Sequence, residues 1–407
     1  MRRARNQDRV RGTAGEKKVA GNPPWTQWRG ANRDGRLAWL PEKLPAAVVP
    51  LWQIPMNAPG LGGVAATADH VVVSDRELRD TVDLFRCLSA ADGKEVWSYR
   101  TPAAGNLDYG NSPRATPLIH DGRVYLQGAF GDLACVDLAT GKAAWSLNVR
   151  DEFDAADDRK WGVCDSPLIA DGKLIVAPGG KDASVVALDP KTGKPVWKCP
   201  GKAAGYGSFN VAKLGGVTQI VGHDAETLGG WDVATGKRLW TVTPDRRGDF
   251  NVPTPIVLGE KLLVTTENNG TRLFAFKPGG VIDPKPVLTN KQLAPDTHTP
   301  VVAGGRIFGV WNRLWCLDAK TLKTVYDQDG QAFSGYCAAV ATDTRVLVIA
   351  RTGELILLDA AAGDYAELGR LAAFGKDEKG LYAHPAFVGT RAYLRGSSTL
   401  LCLDLAG

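Results

Sequence analysis

Three stretches of the sequence repeat one pattern: DLATGKAAW at residues 137–145, DPKTGKPVW at 189–197 and DVATGKRLW at 232–240. The tryptophans at this position of the pattern are separated by 45, 48, 52 and 43 residues, and they are Trp52, Trp97, Trp145, Trp197 and Trp240. A period of this length is typical of the four-stranded blade of a β-propeller. The 407 residues are therefore expected to form one array of repeats rather than two or three separate domains.

Between these stretches the sequence is rich in short strand-forming runs. DGRVYLQG at 121–128, DGKLIVAPGG at 171–180 and TRVLVIARTG at 344–353 are aliphatic or β-branched and are bounded by glycine-rich turns. Each run is too short for a helix of useful length. We predict an all-β fold, namely an eight-bladed β-propeller made of four-stranded antiparallel blades.

The two ends of the predicted propeller complement each other. The last repeat, at residues 382–407, stops before its outer strand, whereas VVPLWQIP at 48–55 is an outer strand without a blade of its own. We predict that this N-terminal strand completes the last blade and closes the ring, which removes an exposed sheet edge. The predicted domains are a disordered basic tail (1–24), an extended N-terminal segment (25–47) and the propeller (48–407).

Local chemistry explains the repeated turn. Its Asp carboxylate can accept hydrogen bonds from turn amides, its Thr adds a second acceptor, and its Gly takes the left-handed conformation that other residues resist. The following Trp is expected to begin the outer strand and to pack on the neighbouring blade. A different turn, of type I′, is predicted at Asn269 and Gly270.

The cysteines also follow the repeat. Four of the seven occupy one repeat position, namely Cys87, Cys135, Cys316 and Cys402. Another blade places Ala187 there, so the position favours a small apolar side chain. Equivalent positions in different blades lie too far apart to form a disulfide. We therefore expect buried free thiols rather than metal ligands or redox groups.

The repeats, with their A-x-D-x-x-T-G-K-x-x-W signature, resemble the PQQ-like (quinoprotein or BamB-type) propeller family over roughly residues 48–407. That family includes quinoprotein alcohol dehydrogenases and the propeller subunit of the outer-membrane β-barrel assembly machinery. The opening WTQWRGANRDG at 25–35 looks like the segment before the first blade in a bacterial branch whose members are mostly exported. The resemblance implies an extracytoplasmic or periplasmic location, although the sequence as given shows no signal peptide.

For the quinoprotein enzymes, the resemblance implies adjacent cysteines joined in a disulfide ring, a calcium held by Glu and Asn side chains, and an Asp base beside the quinone. This sequence has no adjacent cysteines. The acidic run at 151–158 also lacks the residue order of a calcium-binding loop. We predict no cofactor and no metal, and PQQ with calcium is the alternative.

Charge is concentrated at the N-terminus. Residues 1–18 contain seven Lys or Arg and two acidic residues, which accounts for the whole formal net charge of +5. A neutral body argues against a nucleic-acid surface, because phosphate binding needs a clustered basic face. No apolar run approaches the ~18 residues of a transmembrane helix. We predict no nucleic-acid partner, no transmembrane segment and a monomeric protein.

Loop positions indicate a candidate site. The turns between second and third strands and the connections between blades share one face of the disc, and the connections end at the mouth of the central channel. Aromatic walls with a few polar groups there suit a sugar, a quinone or a peptide segment. In the alternative interpretation each aromatic ring only packs on its neighbouring blade. The predicted binding residues are Tyr109, Arg114, Trp161, Asp165, Tyr206, Asn210, Asn251, His298, Tyr336, Tyr382 and His384.

Two functions remain open. The first is a non-catalytic propeller whose loop face binds a protein or glycan partner, as in a BamB-like scaffold; we favour it because no catalytic motif is present. The second is an enzyme that uses the channel mouth, a quinone-dependent alcohol or sugar dehydrogenase in particular. His298, His384 and Asp165 could in principle form a metal or acid–base site, but they come from separate blades and their spacing does not support one.

Overall fold

The fold is an all-β ring of eight four-stranded antiparallel sheets, and this confirms the predicted eight-bladed propeller. A computed structural model describes residues 21–155, 159–375, 378 and 380–407. The first twenty residues of the predicted basic tail lie outside the described residues, as do 156–158 of the acidic run. Neighbouring blades contact each other through their first strands, which therefore line the axis of the ring.

The strands follow the repeat in chain order. Strand β1 (Pro50–Pro55) belongs to the last blade, and the next sixteen strands form blades 1 to 4. Blade 1 contains β2 (Ala65–Ala66), β3 (His70–Arg76), β4 (Val82–Ser89) and β5 (Glu95–Pro102), and blade 2 contains β6 (Leu118–His120), β7 (Arg123–Gln127), β8 (Asp132–Asp137) and β9 (Ala143–Asn148). Blade 3 contains β10 (Leu168–Ala170), β11 (Lys173–Val176), β12 (Val185–Leu188) and β13 (Pro195–Cys199), and blade 4 contains β14 (Asn210–Leu214), β15 (Val217–His223), β16 (Leu228–Asp232) and β17 (Arg238–Val242).

The second half of the ring has one insertion. In blade 5 a small hairpin, β21 (Phe276–Lys277) and β22 (Val281–Ile282), interrupts the order β18 (Ile256–Leu258), β19 (Lys261–Thr266), β20 (Gly270–Phe274) and β23 (Leu288–Asn290). Blade 6 contains β24 (Val301–Ala303), β25 (Arg306–Val310), β26 (Leu314–Asp318) and β27 (Thr324–Gln328), and blade 7 contains β28 (Cys337–Ala341), β29 (Arg345–Ala350), β30 (Glu354–Asp359) and β31 (Glu367–Ala372). Blade 8 contains β32 (Ala386–Val388), β33 (Arg391–Arg395) and β34 (Thr399–Asp404).

Ring closure occurs as predicted. Strand β1 pairs antiparallel with β34 and thereby becomes the outer strand of blade 8, with Trp52 opposite Cys402 and Ile54 opposite Leu400. The same sheet therefore contains the first and the last strand of the chain. This pairing covers the backbone edge that an open last blade would expose.

The repeated turn has the predicted chemistry. In blade 2 the amide and the hydroxyl of Thr140 both donate to the Asp137 carboxylate, at 2.9 and 2.7 Å, and Gly141 takes a φ of 70°. The Cys135 thiol is fully buried opposite Trp145 on the next strand, and Cys87 lies in the same way opposite Trp97. A small side chain is favoured at this position because the indole occupies the adjacent space.

Hydrophobic packing lies mainly between blades. One buried cluster, for example, joins Val72 and Cys87 of blade 1 to Val124 and Val136 of blade 2. Helical structure in the described residues is limited to short turns, α1 (Val149–Glu152) and a 3-10 turn (Gln331–Phe333). No described helix has both the length and the apolar composition needed to cross a membrane.

Candidate functional site

The N-terminal segment fills the centre of the ring. Residues 21–37, which we call the hub segment, pair with the inner strands of several blades. Trp25 exchanges two backbone hydrogen bonds with Ala66 of blade 1, and Leu37 donates to the Ala341 carbonyl of blade 7. Asn22, which the predicted boundary assigns to the tail, is buried and exchanges two backbone hydrogen bonds with Gly389 of blade 8. The central channel is thus occupied by the protein's own chain.

Two buried arginines hold the hub segment across the ring. Arg29 donates to the carbonyls of Thr299 (2.9 Å) and Pro300 (2.7 Å) at blade 6, and it is 1% exposed. Arg33 donates to the carbonyls of Ser166 (3.0 Å) and Pro167 (2.9 Å) at blade 3, and it is 2% exposed. Burial lowers the pKa of Arg29 to about 10 and that of Arg33 to about 9, so both stay charged near neutral pH.

Above the hub segment lies a cavity of about 710 Å³. Its wall includes residues that precede inner strands, such as His298 and His384, and residues of the turns between second and third strands, such as Asn312 and Arg351. Trp28 of the hub segment also lines it. The cavity therefore opens on the loop face, and the hub segment blocks it below, so the site is a blind cup rather than a passage through the disc.

Aromatic rings form a continuous belt around this cup. Trp161 contacts Tyr206 at 4.7 Å, Phe250 at 4.8 Å and Tyr109 at 6.5 Å between ring centroids. The belt continues through Tyr382, which lies 6.1 Å from Tyr109. It ends with the successive contacts of Tyr382 with Tyr336, Tyr336 with His384, and His384 with Trp28. Apart from Trp28 of the hub segment, these rings come from six connections between blades, and only Tyr382 and His384 share one. The cup therefore exists only in the closed ring.

Hydroxyl groups link the blades beneath the belt. The amide of Thr116 donates to the Ser166 hydroxyl at 3.0 Å, and the amide of Ser166 donates to the Ser208 hydroxyl at 3.0 Å. The pattern continues from Ser208 to Thr254 and from Thr254 to Thr299, at 3.1 Å each. This ladder connects blades 2 to 6. The sequence analysis missed it, although a Ser or Thr stands before the inner strand in each of these five blades, usually followed by proline.

The loop that presents Tyr109 is held by Arg114. The guanidinium of Arg114 donates to the carbonyls of Asp108 (2.8 Å), Gly110 (2.6 Å) and Ser112. Tyr109 has a φ of 66° and is 67% exposed at the rim of the cup. Arg114 lies in the cavity wall, as expected for a binding residue, but these bonds direct its guanidinium to the loop itself.

The structure gathers most of the predicted site residues in one place. Eight of the eleven line the cup: Tyr109, Arg114, Trp161, Tyr206, His298, Tyr336, Tyr382 and His384. The other three do not line it. Asp165 is 1% exposed, Asn251 donates to the carbonyls of Asp224 and Ala225, and Asn210 accepts from the amide of Val211. A binding role for these residues stays a prediction.

Burial shifts the pKa values of several titratable residues near the cup. Burial lowers the pKa of His298 to about 4 and, helped by the Arg29 charge, that of His384 to about 3. Burial raises the pKa of Asp165 to about 6, against the opposing charges of Arg159 and Arg33. Both imidazoles are therefore uncharged at neutral pH, and they offer the cup hydrogen bonds rather than positive charge.

The cup does not fit the quinone–calcium pair that the resemblance implies for the enzymes. No glutamate lines it in the described part of the chain, and Asn210 and Asn251, which could supply amide ligands, form hydrogen bonds to backbone instead. All seven cysteines are free. Across residues 21–155, 159–375, 378 and 380–407, no three or more His, Cys, Asp or Glu side chains are grouped so that they could hold a metal ion.

A comparison with known families decides the kinship of the chain. The sequence profile of a family described as outer membrane protein assembly factor BamB matches residues 49–328, more than half of the chain. The chain belongs to this family. This confirms the resemblance seen in the repeats.

Individual relatives share the fold more clearly than the sequence. "Alcohol dehydrogenase (quinone), dehydrogenase subunit" of Komagataeibacter europaeus is 32% identical over 123 residues, which are 28% of this chain and only 17% of that protein. Quinohemoprotein alcohol dehydrogenase ADHIIG from Pseudomonas putida HK5 has a TM-score of 0.63 at 12% identity, covering 97% of this chain and 82% of the other. BamB from Moraxella catarrhalis has a TM-score of 0.59 at 14% identity, and the match covers 87% of this chain and 99% of the other. At such identities the structural likeness shows the fold alone.

Proposed function

We propose that the protein is a non-catalytic binding module whose blind aromatic cup on the loop face holds a segment of a protein or glycan partner. The observation that supports this is the belt of rings that faces open solvent above a closed floor. A large exposed aromatic side chain such as Tyr109, at 67% exposure, is typical of a contact surface rather than of a packed core. The extracytoplasmic location that the family resemblance implies stays a prediction.

A photo-crosslinking experiment tests this proposal. The benzophenone amino acid p-benzoylphenylalanine would replace Tyr109 at the cup in one variant and exposed Lys142, in the turn on the opposite face, in another. Both would be irradiated in cells of the source organism, since benzophenone reacts with C–H bonds of proteins and glycans alike. We expect adducts from position 109 and none from 142. Equal labelling at both positions, or none at 109, would contradict the proposal.

The second candidate function is a quinone-dependent alcohol dehydrogenase, which the printed names of several relatives favour. The residues that line the cup argue against this function, because those described include no glutamate that would hold the calcium. Titration of the protein with PQQ and calcium, followed by dye-linked oxidation of alcohols, separates the two candidates. Saturable binding together with turnover that is lost in Asp165→Asn would replace the binding-module proposal.

A further inference from the structure

His298 offers the cup an unused hydrogen-bond acceptor. Its Nδ1 lies 2.7 Å from the carbonyl oxygen of Cys337, and because a carbonyl only accepts, Nδ1 carries the proton. Its Nε2 is then a lone-pair acceptor, and this atom is buried without a partner among the described residues. The side chain lines the cup and is 3% exposed. A buried acceptor without a partner is unfavourable, so a ligand that donates to it gains affinity.

Trp161 offers the matching donor. Its indole lines the cup between Tyr206 and Phe250, and its Nε1 is buried without a partner among the described residues. An indole N–H can only donate. A ligand that satisfies both sites must therefore accept from Trp161 and donate to His298. Hydroxyl groups do both.

The charges around the cup are balanced. Asp108 and Asp296 line it together with Arg114 and Arg351, and three carbonyls already occupy the donors of Arg114. Below the floor, the charge of Arg29 is offset by Asp34 and that of Arg33 by Asp165. Among the described residues, no surplus charge remains to repay the desolvation of an ionic ligand. A neutral ligand fits better.

An extended peptide fits less well than a sugar. Extended peptides that bind by adding a strand to a sheet gain much of their affinity by pairing with a free strand edge. Near the axis, the hub segment already pairs with the inner edges at Ala66, Ile119 and Ala341. A pyranose ring instead has apolar C–H faces that pack on aromatic rings, and a rim of hydroxyls. Its size is compatible with a cavity of about 710 Å³.

We propose that the cup binds a neutral, hydroxyl-rich sugar ring of a glycan. One sugar hydroxyl donates to Nε2 of His298, another accepts from Nε1 of Trp161, and the ring packs against the aromatic belt. This inference rests on the proposed function and narrows its partner to a glycan.

Calorimetric titration of the full chain tests the inference. The probes are maltohexaose, cellohexaose, xylohexaose, mannohexaose and chitohexaose, with polygalacturonate as a charged probe and a random-sequence peptide pool as the alternative occupant. We expect saturable binding of at least one neutral oligosaccharide and no binding of polygalacturonate. Trp161→Phe keeps a ring but removes the donor. His298→Asn keeps a donor for the Cys337 carbonyl but removes the acceptor at the position of Nε2. Each should raise Kd about fivefold or more.

The matched control is Trp145→Phe, which makes the same change on an outer strand away from the cup. It should bind as the unaltered protein does, and thermal melts would verify that every variant is folded. Binding of the peptide pool alone, weakened by the cup variants, would overturn the glycan inference and leave the binding module standing. Glycan binding that neither cup variant weakens would overturn both. Failure of every neutral oligosaccharide would overturn the inference even if position 109 crosslinks to a partner.

Discussion

The interfaces between blades differ between the two halves of the ring. In blade 8 and blades 1 to 3, the outer-strand tryptophan lies over the turn glycine of the next blade, and its indole N–H donates to a carbonyl of that turn. We call this the tryptophan–glycine contact. It consists of Trp52 with Gly93 and the Ala90 carbonyl, Trp97 with Gly141 and Leu138, Trp145 with Gly193 and Pro190, and Trp197 with Gly236 and Val233.

From the interface between blades 4 and 5 onward, the contact is replaced. Trp240 donates to Gln219 of its own blade and packs against Phe276 of the inserted hairpin. At the next interface, Leu322 stands where other turns have glycine, with a φ of 54° and 1% exposure, and the Asn290 side chain donates to its carbonyl at 2.8 Å. The comparison shows two ways to fill the space between an outer strand and the turn of the next blade. Either the strand supplies a large ring over a glycine in the turn, or the strand supplies a smaller side chain and the turn supplies a leucine. At this interface, a leucine in the turn accompanies the lack of a tryptophan on the facing outer strand.

Gly193→Leu should disrupt the regular half most strongly. The glycine has a φ of 71°, and a Cβ there would lie 2.8 Å from the Trp145 indole. Strain and overpacking together should lower the free energy of unfolding by about 3–5 kcal/mol, measured by urea denaturation. Adding Trp145→Ala should recover part of this loss, as at blade 6. Strictly additive effects of the two substitutions would contradict the pairing of the positions.

Leu322→Gly tests the other half. The facing outer strand, Leu288–Asn290, has no tryptophan, so removing the Leu322 side chain leaves a cavity in the cluster that contains Ile307 and Leu317. The free energy of unfolding should fall by about 2–4 kcal/mol, because glycine relieves the strain of the left-handed backbone but this offsets only part of the lost packing. The same denaturation assay measures it. A variant as stable as the parent would mean that glycine alone is sufficient at this turn.

Acid should weaken the irregular half through His298. This residue precedes blade 6 and bonds to Cys337 of blade 7, so it joins two blades that lack the tryptophan–glycine contact. Its pKa falls from 6.5 to about 4 on folding, so the unfolded chain binds more protons in that window and stability falls as pH drops. At about pH 5 the loss should be on the order of 1–2 kcal/mol.

Other buried groups titrate in the same range, so the measurement is a difference between the unaltered protein and His298→Asn. The advantage of the unaltered protein should shrink as pH falls from 6.5 towards 4, the two pKa values of this group. Parallel pH profiles for the two proteins would show that His298 does not carry the effect.

Trp97→Phe removes a single hydrogen bond of the tryptophan–glycine contact. The ring still covers Gly141, but the Leu138 carbonyl loses its 2.7 Å donor. We expect the free energy of unfolding to fall by about 1–2 kcal/mol. Trp240→Phe is the matched change at the interface without the contact, where the lost bond lies within one blade. If only the regular interfaces transmit stability between blades, Trp97→Phe should also broaden the unfolding transition and Trp240→Phe should not.

The sequence was sufficient to predict the structural features that rest on its repeated patterns. Blade number, the chemistry of the turn at Asp137 and the closing strand follow from local patterns repeated several times, and all are confirmed. The predicted type I′ turn was wrong, since it requires a positive φ at Asn269, which the structure does not have. That side chain instead binds Arg246 and Asp249 of a neighbouring connection.

The hub segment could not be predicted for a related reason. Its contacts join Arg29 to Pro300, which lie 271 residues apart in sequence, and they occur once, so no repeat reveals them. The same holds for the cup. Aromatic residues at the blade connections indicated its rim, but only the hub segment explains why it has a floor. Asp165 was placed at the rim because its connection leads there, whereas its side chain turns into the buried layer beside Arg33.

The hub segment also constrains how the protein can be made. Asn22 donates to the carbonyl of Gly389, so these partners leave the ribosome 367 residues apart. The hub segment, which ends up at the axis, is synthesised before every blade that encloses it. During translation that segment has no complete binding place, and its apolar side chains stay accessible to chaperones until the final blade emerges. The ring therefore cannot close before blade 8 has been synthesised.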